Sequence, residues 1–115
     1  MDFNEYQEKA LKSATYYKLG NNLIYPAMGL VGEAGEFADK IKKLWRNTGV
    51  PLLNYYDLNA EQIMELVKEA GDVQWYLAAI AKELRLPLGL FADTNIEKLT
   101  DRLNRGVIKS QGDNR

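Results

Sequence analysis

Leu30-Val31-Gly32-Glu33-Ala34-Gly35-Glu36-Phe37 and Leu66-Val67-Lys68-Glu69-Ala70-Gly71-Asp72-Val73 state one pattern twice, 36 residues apart. Each copy holds an apolar pair, a carboxylate, an Ala-Gly step, a second carboxylate and an apolar residue. Three residues of α-helix turn through about 300°, so the two acids of each pair project from neighbouring positions on one face. If two such helices lie antiparallel with these faces opposed, Glu33, Glu36, Glu69 and Asp72 converge inside a bundle, as in carboxylate-lined metal bundles. The echo is too short to establish duplication, but it gives both segments the same task.

The bland alternative is a pair of solvated faces, since carboxylates are rarely buried. Three features favour the cluster. The acids sit among Leu30, Val31, Phe37, Val73 and Trp75 and not in a charged run. Gly35 and Gly71 lie inside helical patterns, where each costs about 1 kcal/mol relative to Ala, which implies a close approach to the backbone. Finally, the pattern occurs twice. Glu61 and Glu65, by contrast, read as a solvated face with Lys68.

Outward from these segments the periodicity is helical throughout. Phe3, Tyr6, Ala10, Leu11, Ala14 and Tyr17 recur at helical spacing and predict a first helix over 3–18, closed by Gly20-Asn21-Asn22. The second helix is expected from Pro26 to about Arg46. A loop over 47–58 follows, and Asn59 with Gln62 forms a capping box for a third helix that runs to about Arg85. A fourth begins near Pro87 and carries Leu90, Phe91, Ile96, Leu99 and Leu103. No stretch alternates with period two, so the expected architecture is all-α, a single four-helix bundle domain over 1–115.

Composition narrows the chemistry. With 115 residues, 46% of them hydrophobic, one modest core is the expectation. A net charge of −1 lacks the basic field of a nucleic-acid polymer binder. There is no cysteine and no histidine, which removes thiolate chemistry, zinc-thiolate sites and the commonest general base. Carboxylate oxygens alone suit Mg²⁺, Mn²⁺ or Ca²⁺ better than zinc, and Mg²⁺ is held by a few carboxylates together with substrate phosphates. No apolar run approaches the ~20 residues of a membrane span and the start is polar and acidic, so a cytoplasmic protein with no membrane partner is expected.

Through Gly29 to Glu36, Glu69 to Tyr76, Asn95, Lys98-Leu99 and the closing Gly112-Asp113-Asn114-Arg115, the sequence resembles the all-α nucleoside triphosphate pyrophosphohydrolases of the MazG-like family. The resemblance implies that Glu33, Glu36, Glu69 and Asp72 bind Mg²⁺, with Mn²⁺ as a substitute. It also implies that Tyr76, Asn95, Lys98 and the tail from Arg105 to Arg115 lie near the nucleotide. The interval from Phe37 to Lys68 is longer than in many members, and the loop over 47–58 absorbs it.

Lys40 and Lys43, one and two turns beyond Glu36, are further phosphate candidates. Lys98, Arg102, Arg105 and Lys109 form a basic stripe that suits a triphosphate, or else a solvated face partly neutralised by Glu97 and Asp101. Trp45 is a candidate base contact and Trp75 a core residue.

The expected reaction is Mg²⁺-dependent hydrolysis of a nucleoside triphosphate to the monophosphate and pyrophosphate, with Glu36 as general base. The rivals are a di-iron oxidase, disfavoured because Glu-x-x-His ligand pairs are absent, and a non-catalytic nucleotide-binding or helical adaptor. Phe3, Tyr6, Tyr16, Tyr17, Tyr55 and Tyr56 add aromatic surface that a small monomer would struggle to bury, so a homodimer or homotetramer is expected, as the resemblance also implies.

Overall fold

The computed structural model describes residues 1–106, which form four α-helices and no strand: α1 (Phe3–Ala10), α2 (Ile24–Thr48), α3 (Ala60–Glu83) and α4 (Gly89–Asn104). Short 3-10 turns lie at Leu11–Ser13 and Tyr55–Asp57. The all-α, four-helix architecture is the one expected. None of the helices is long and apolar enough to cross a membrane.

The long pair, α2 and α3, is antiparallel. Gly29 lies against Tyr76, Glu33 feels Asp72, and Lys40 bonds Glu65 and Glu69, so one helix is read upward as the other is read downward. The close backbone approach expected at Gly35 and Gly71 occurs instead at Gly29, where a Cβ would fall into the Tyr76 ring. At Gly35 and Gly71 nothing of the described chain lies within 4 Å of a built Cβ.

Local chemistry sets the ends. Asn22 Oδ1 accepts the Tyr25 N–H at 3.1 Å, so α2 starts two residues before Pro26. Gly49, with φ of 70°, closes it by donating to the Trp45 carbonyl. The Asn59–Gln62 capping box of α3 forms as read from the sequence. A second one, Asn54 with Asp57, orders the loop expected to be irregular.

The first helix is shorter than expected. The Ala10 carbonyl, which a continuing helix would offer to Ala14, instead accepts the indole N–H of Trp75 at 3.1 Å and the Ser13 hydroxyl at 2.7 Å. Ala14 is extended, and the chain turns back through Lys18 (φ 56°) and Gly20 (φ 91°). That turn closes on Glu83. Its carboxylate accepts the Tyr16 hydroxyl at 2.6 Å, the Gly20 N–H at 2.7 Å and the Asn22 N–H at 2.8 Å.

Two α1 side chains then organise the start of α4. Asn4 Oδ1 accepts the Gly89 N–H at 2.8 Å, and Gln7 Oε1 accepts the Leu88 N–H at 2.9 Å while its amide donates to the Leu86 carbonyl at 3.2 Å. These bonds satisfy donors that a helix start leaves unpaired. The core beneath is small: Ala78, Ala81 and Leu88, with Tyr6, Leu11, Leu77 and Phe91 packed around them.

Burial alone would raise the Glu83 pKa, but the bonds from Tyr16, Asn22 and Gly20 outweigh it and hold the group below its ordinary value near 4.5. A depressed acid adds stability above that ordinary value and loses it as the pH falls through the lower folded one. Glu83→Gln is expected to cost about 2 kcal/mol at neutral pH, since bonds to a charged group are each worth ~1.5–3 kcal/mol but are not additive. Denaturant melts should show this deficit shrinking as the pH is lowered below 4.5.

Candidate metal centre

Glu33 and Glu36 on α2 and Glu69 on α3 bring one carboxylate oxygen each to within 4.8 Å of one another. The antiparallel register produces this, because each acid sits one turn from a residue that packs the two helices together. Glu33 and Glu69 are half-buried and Glu36 is exposed. Asp72, one turn past Glu69, lies outside the convergent three and is exposed, yet its charge reaches Glu33, Tyr6 and Tyr76.

The electrostatics are those of crowded like charges. Burial pushes the Glu33 carboxyl up from its ordinary value, and the charges of Glu36 and Asp72, a hydrogen bond with Glu36 and the charge of Glu69 push it further. Oε2 of Glu33 and Oε2 of Glu69 are both buried without a hydrogen-bond partner. Such atoms are costly unless a cation or donor serves them. Oxygen donors alone, two of them orphaned, fit a hard divalent cation, with Glu33, Glu36 and Glu69 able to hold it and Asp72 close by.

Lysine 40 supplies the local positive charge. Its Nζ lies 3.0 Å from Glu69 Oε1 and 3.2 Å from Glu65 Oε2, and these two bonds, Glu69's first, raise its pKa. Glu65 therefore faces across to α2, a pairing missed by the sequence reading that set it with Lys68. Lys43 and Lys42 turn instead to Asp39, at 2.8 Å and 3.0 Å, and their bonds lower that carboxyl to about 2.

Tyr76 stands edge-on to Trp75 and packs over Gly29. Burial raises its pKa first, followed by a hydrogen bond with Tyr25. Tyr25 in turn stacks on Tyr16 with ring centroids 4.9 Å apart. This aromatic file from the 14–22 turn to the carboxylates had no period in the sequence to announce it.

On α4, Asn95 and Lys98 line a groove of about 430 Å³ with Leu86, Leu90, Phe91 and Thr94, and none of the four acids lines it. Arg105 forks onto Asp101 at 2.7 and 2.8 Å, and Arg102 is largely buried. Lys109 and Arg115 lie outside the described residues. Trp45 donates to the Val50 carbonyl at 2.7 Å and fixes the end of α2, while Trp75 holds α1.

The fold and the acidic centre define a class, and the sequence comparison gives the family: residues 26–107 match the MazG nucleotide pyrophosphohydrolase domain. The chain belongs to the MazG family of nucleotide pyrophosphohydrolases, enzymes that generally depend on a divalent metal. A relative of equal extent is the Gene 37 protein of Mycobacterium phage L5, 40% identical over 121 aligned residues that cover the whole of both chains. No solved structure matches.

A group whose folded pKa is raised adds stability below its ordinary value and loses it as the pH rises through the folded value. At neutral pH, in chelator, Glu33→Gln should therefore melt above the parent, and the gap should close as the pH falls toward 4.5. Added Mg²⁺ should raise the parent's Tm and leave the variant's nearly unmoved. Thermal melts with EDTA or Mg²⁺ across this pH range check both.

Proposed function

We propose that the chain hydrolyses a ribo- or deoxynucleoside triphosphate to the monophosphate and pyrophosphate, using Mg²⁺ held by Glu33, Glu36, Glu69 and Asp72, with Mn²⁺ able to replace it. The observation that carries this reading is the pair of buried, unpartnered oxygens, Oε2 of Glu33 and of Glu69, on facing helices of a nucleotide pyrophosphohydrolase. The cation, when bound, neutralises phosphate charge and acidifies water.

Glu36, the exposed member of the convergent three, accepts the proton of the attacking water. The water oxygen bonds to the α-phosphorus, the bond from that phosphorus to the α–β bridging oxygen breaks in line, and pyrophosphate leaves with the electron pair. Lys40, which bonds Glu69, and Lys43, one turn further along α2, meet the phosphates, and Tyr76 orients the sugar or phosphate. Asn95, Lys98, Arg105 and Arg115 are assigned to the nucleotide as well. Such a substrate pool places the activity in the cytoplasm.

Turnover of a nucleotide panel with Mg²⁺ tests the reaction. Pyrophosphate should appear in step with monophosphate, and orthophosphate as first product would overturn the assignment. Glu36→Gln should lower kcat by about 10²–10⁴, the usual worth of a general base.

The proposal includes a second copy of the chain, as a dimer or a tetramer. A radius of gyration of 17.1 Å compares with about 13 Å for a compact domain of this length. Ile24, Met28 and Val31 are 73%, 66% and 67% exposed, at helical spacing on the side of α2 away from α3. Gly32 and Gly35 run beside them with open space over their backbone, room for another helix. Val31→Glu should shift sedimentation from a multiple of 13.1 kDa toward that mass and lower the Tm, and a parent already at 13.1 kDa would rule the second copy out.

A further inference from the structure

We infer that Lys40 is an internal counter-ion of the acidic centre, one that weakens the binding of a bare divalent cation until a triphosphate arrives to take the ammonium. The inference rests on the metal-dependent reading above and adds a coupling between the two ligands that the family assignment does not contain.

The geometry points in one direction. Glu69 is a divided carboxylate: Oε1 takes the Lys40 ammonium at 3.0 Å, Oε2 is buried and unpartnered, and one of the two converges with oxygens of Glu33 and Glu36. Glu65 holds the same ammonium from beyond, at 3.2 Å, so Lys40 is fixed between two α3 acids at consecutive turns. A dication at the convergent oxygens would share Glu69 with this ammonium, and like charges at so short a range repel strongly in a partly buried setting. Lys40 thus lowers the affinity for a bare cation.

A triphosphate reverses the sign. Lys40 lines an open cleft of about 210 Å³ with Lys43, Asn47, Gln62, Glu65 and two leucines, so it stands at the border between the acids and that space. Lys43 is committed to Asp39, which leaves Lys40 as the lysine on this border that touches the metal-binding acids. Turning from Glu69 to a phosphate oxygen exchanges one anion for another and frees Glu69 Oε1. Cation and nucleotide then bind with positive cooperativity, and by linkage each tightens the other equally. The centre then takes the metal–nucleotide complex more tightly than metal alone.

Mn²⁺ is the probe, its free concentration followed by electron paramagnetic resonance, with α,β-methylene-dATP as the non-hydrolysable nucleotide. Without nucleotide, Lys40→Met and Lys40→Gln should both bind Mn²⁺ about tenfold more tightly than the parent, and Lys40→Arg should stay near the parent. The nucleotide analogue should tighten Mn²⁺ about tenfold in the parent and much less in the two neutral variants. Circular dichroism confirms that each variant is folded, and the Gln variant serves if Met does not fold.

Unchanged or weaker Mn²⁺ binding in folded neutral variants would overturn the role of Lys40 and mark it as an orienting partner of Glu69, while leaving the metal centre intact. No Mn²⁺ binding by the parent, with or without nucleotide, would remove the metal reading and this inference together.

Discussion

Three convergent carboxylates on two facing helices, Glu33, Glu36 and Glu69, with Asp72 close by, repel one another, and the rest of the structure answers that repulsion. The α2/α3 register, set where Tyr76 lies over Gly29, places Glu33, Glu36 and Glu69 together and keeps them from spreading. An apolar pair of helices would gain stability from the same contact, whereas here the contact forces Glu33 toward its protonated form and strands two buried oxygens. Strain of this kind persists only where surrounding structure over-determines it. A divalent cation at these oxygens would relieve the repulsion without moving the helices far.

The supports of that pair are polar. Glu83 gathers three donors from the 14–22 turn and ties it to the end of α3, while Asn4 and Gln7 tie α1 to the start of α4. Directional bonds fix geometry where the core is too small to do so, since Ala78, Ala81 and Leu88 are most of what lies fully inside. Ile24, Met28 and Val31 remain outward on the first turns of α2, and their burial falls to whatever packs there.

Much of the fold was legible because helical periodicity and capping boxes are local. The doubled Glu-x-x-acid pattern pointed to Glu33, Glu36 and Glu69, which converge, and to Asp72, which lies outside them, and Asn59 with Gln62 marked the start of α3 to the residue. What escaped was long-range. The early end of α1 depends on an indole 65 residues away taking a backbone carbonyl, and the pairing of Glu65 with Lys40 depends on register between helices, which a single face cannot show. Gly35 and Gly71 were read as points of close approach because helical glycine is costly, and that cost does not say which neighbour comes close. Gly29, between Met28 and Leu30, is where the ring sits.

The bonds from α1 to α4 span 81 and 85 positions of chain. The α1 helix thus has no finished docking surface until the chain through Gly89 has been synthesised. Its eight residues are too few to hold helical form alone in water. Contacts that join such distant parts of the chain carry the largest loop-closure cost, so the seating of α1 on the start of α4 must be secured by its own directional bonds.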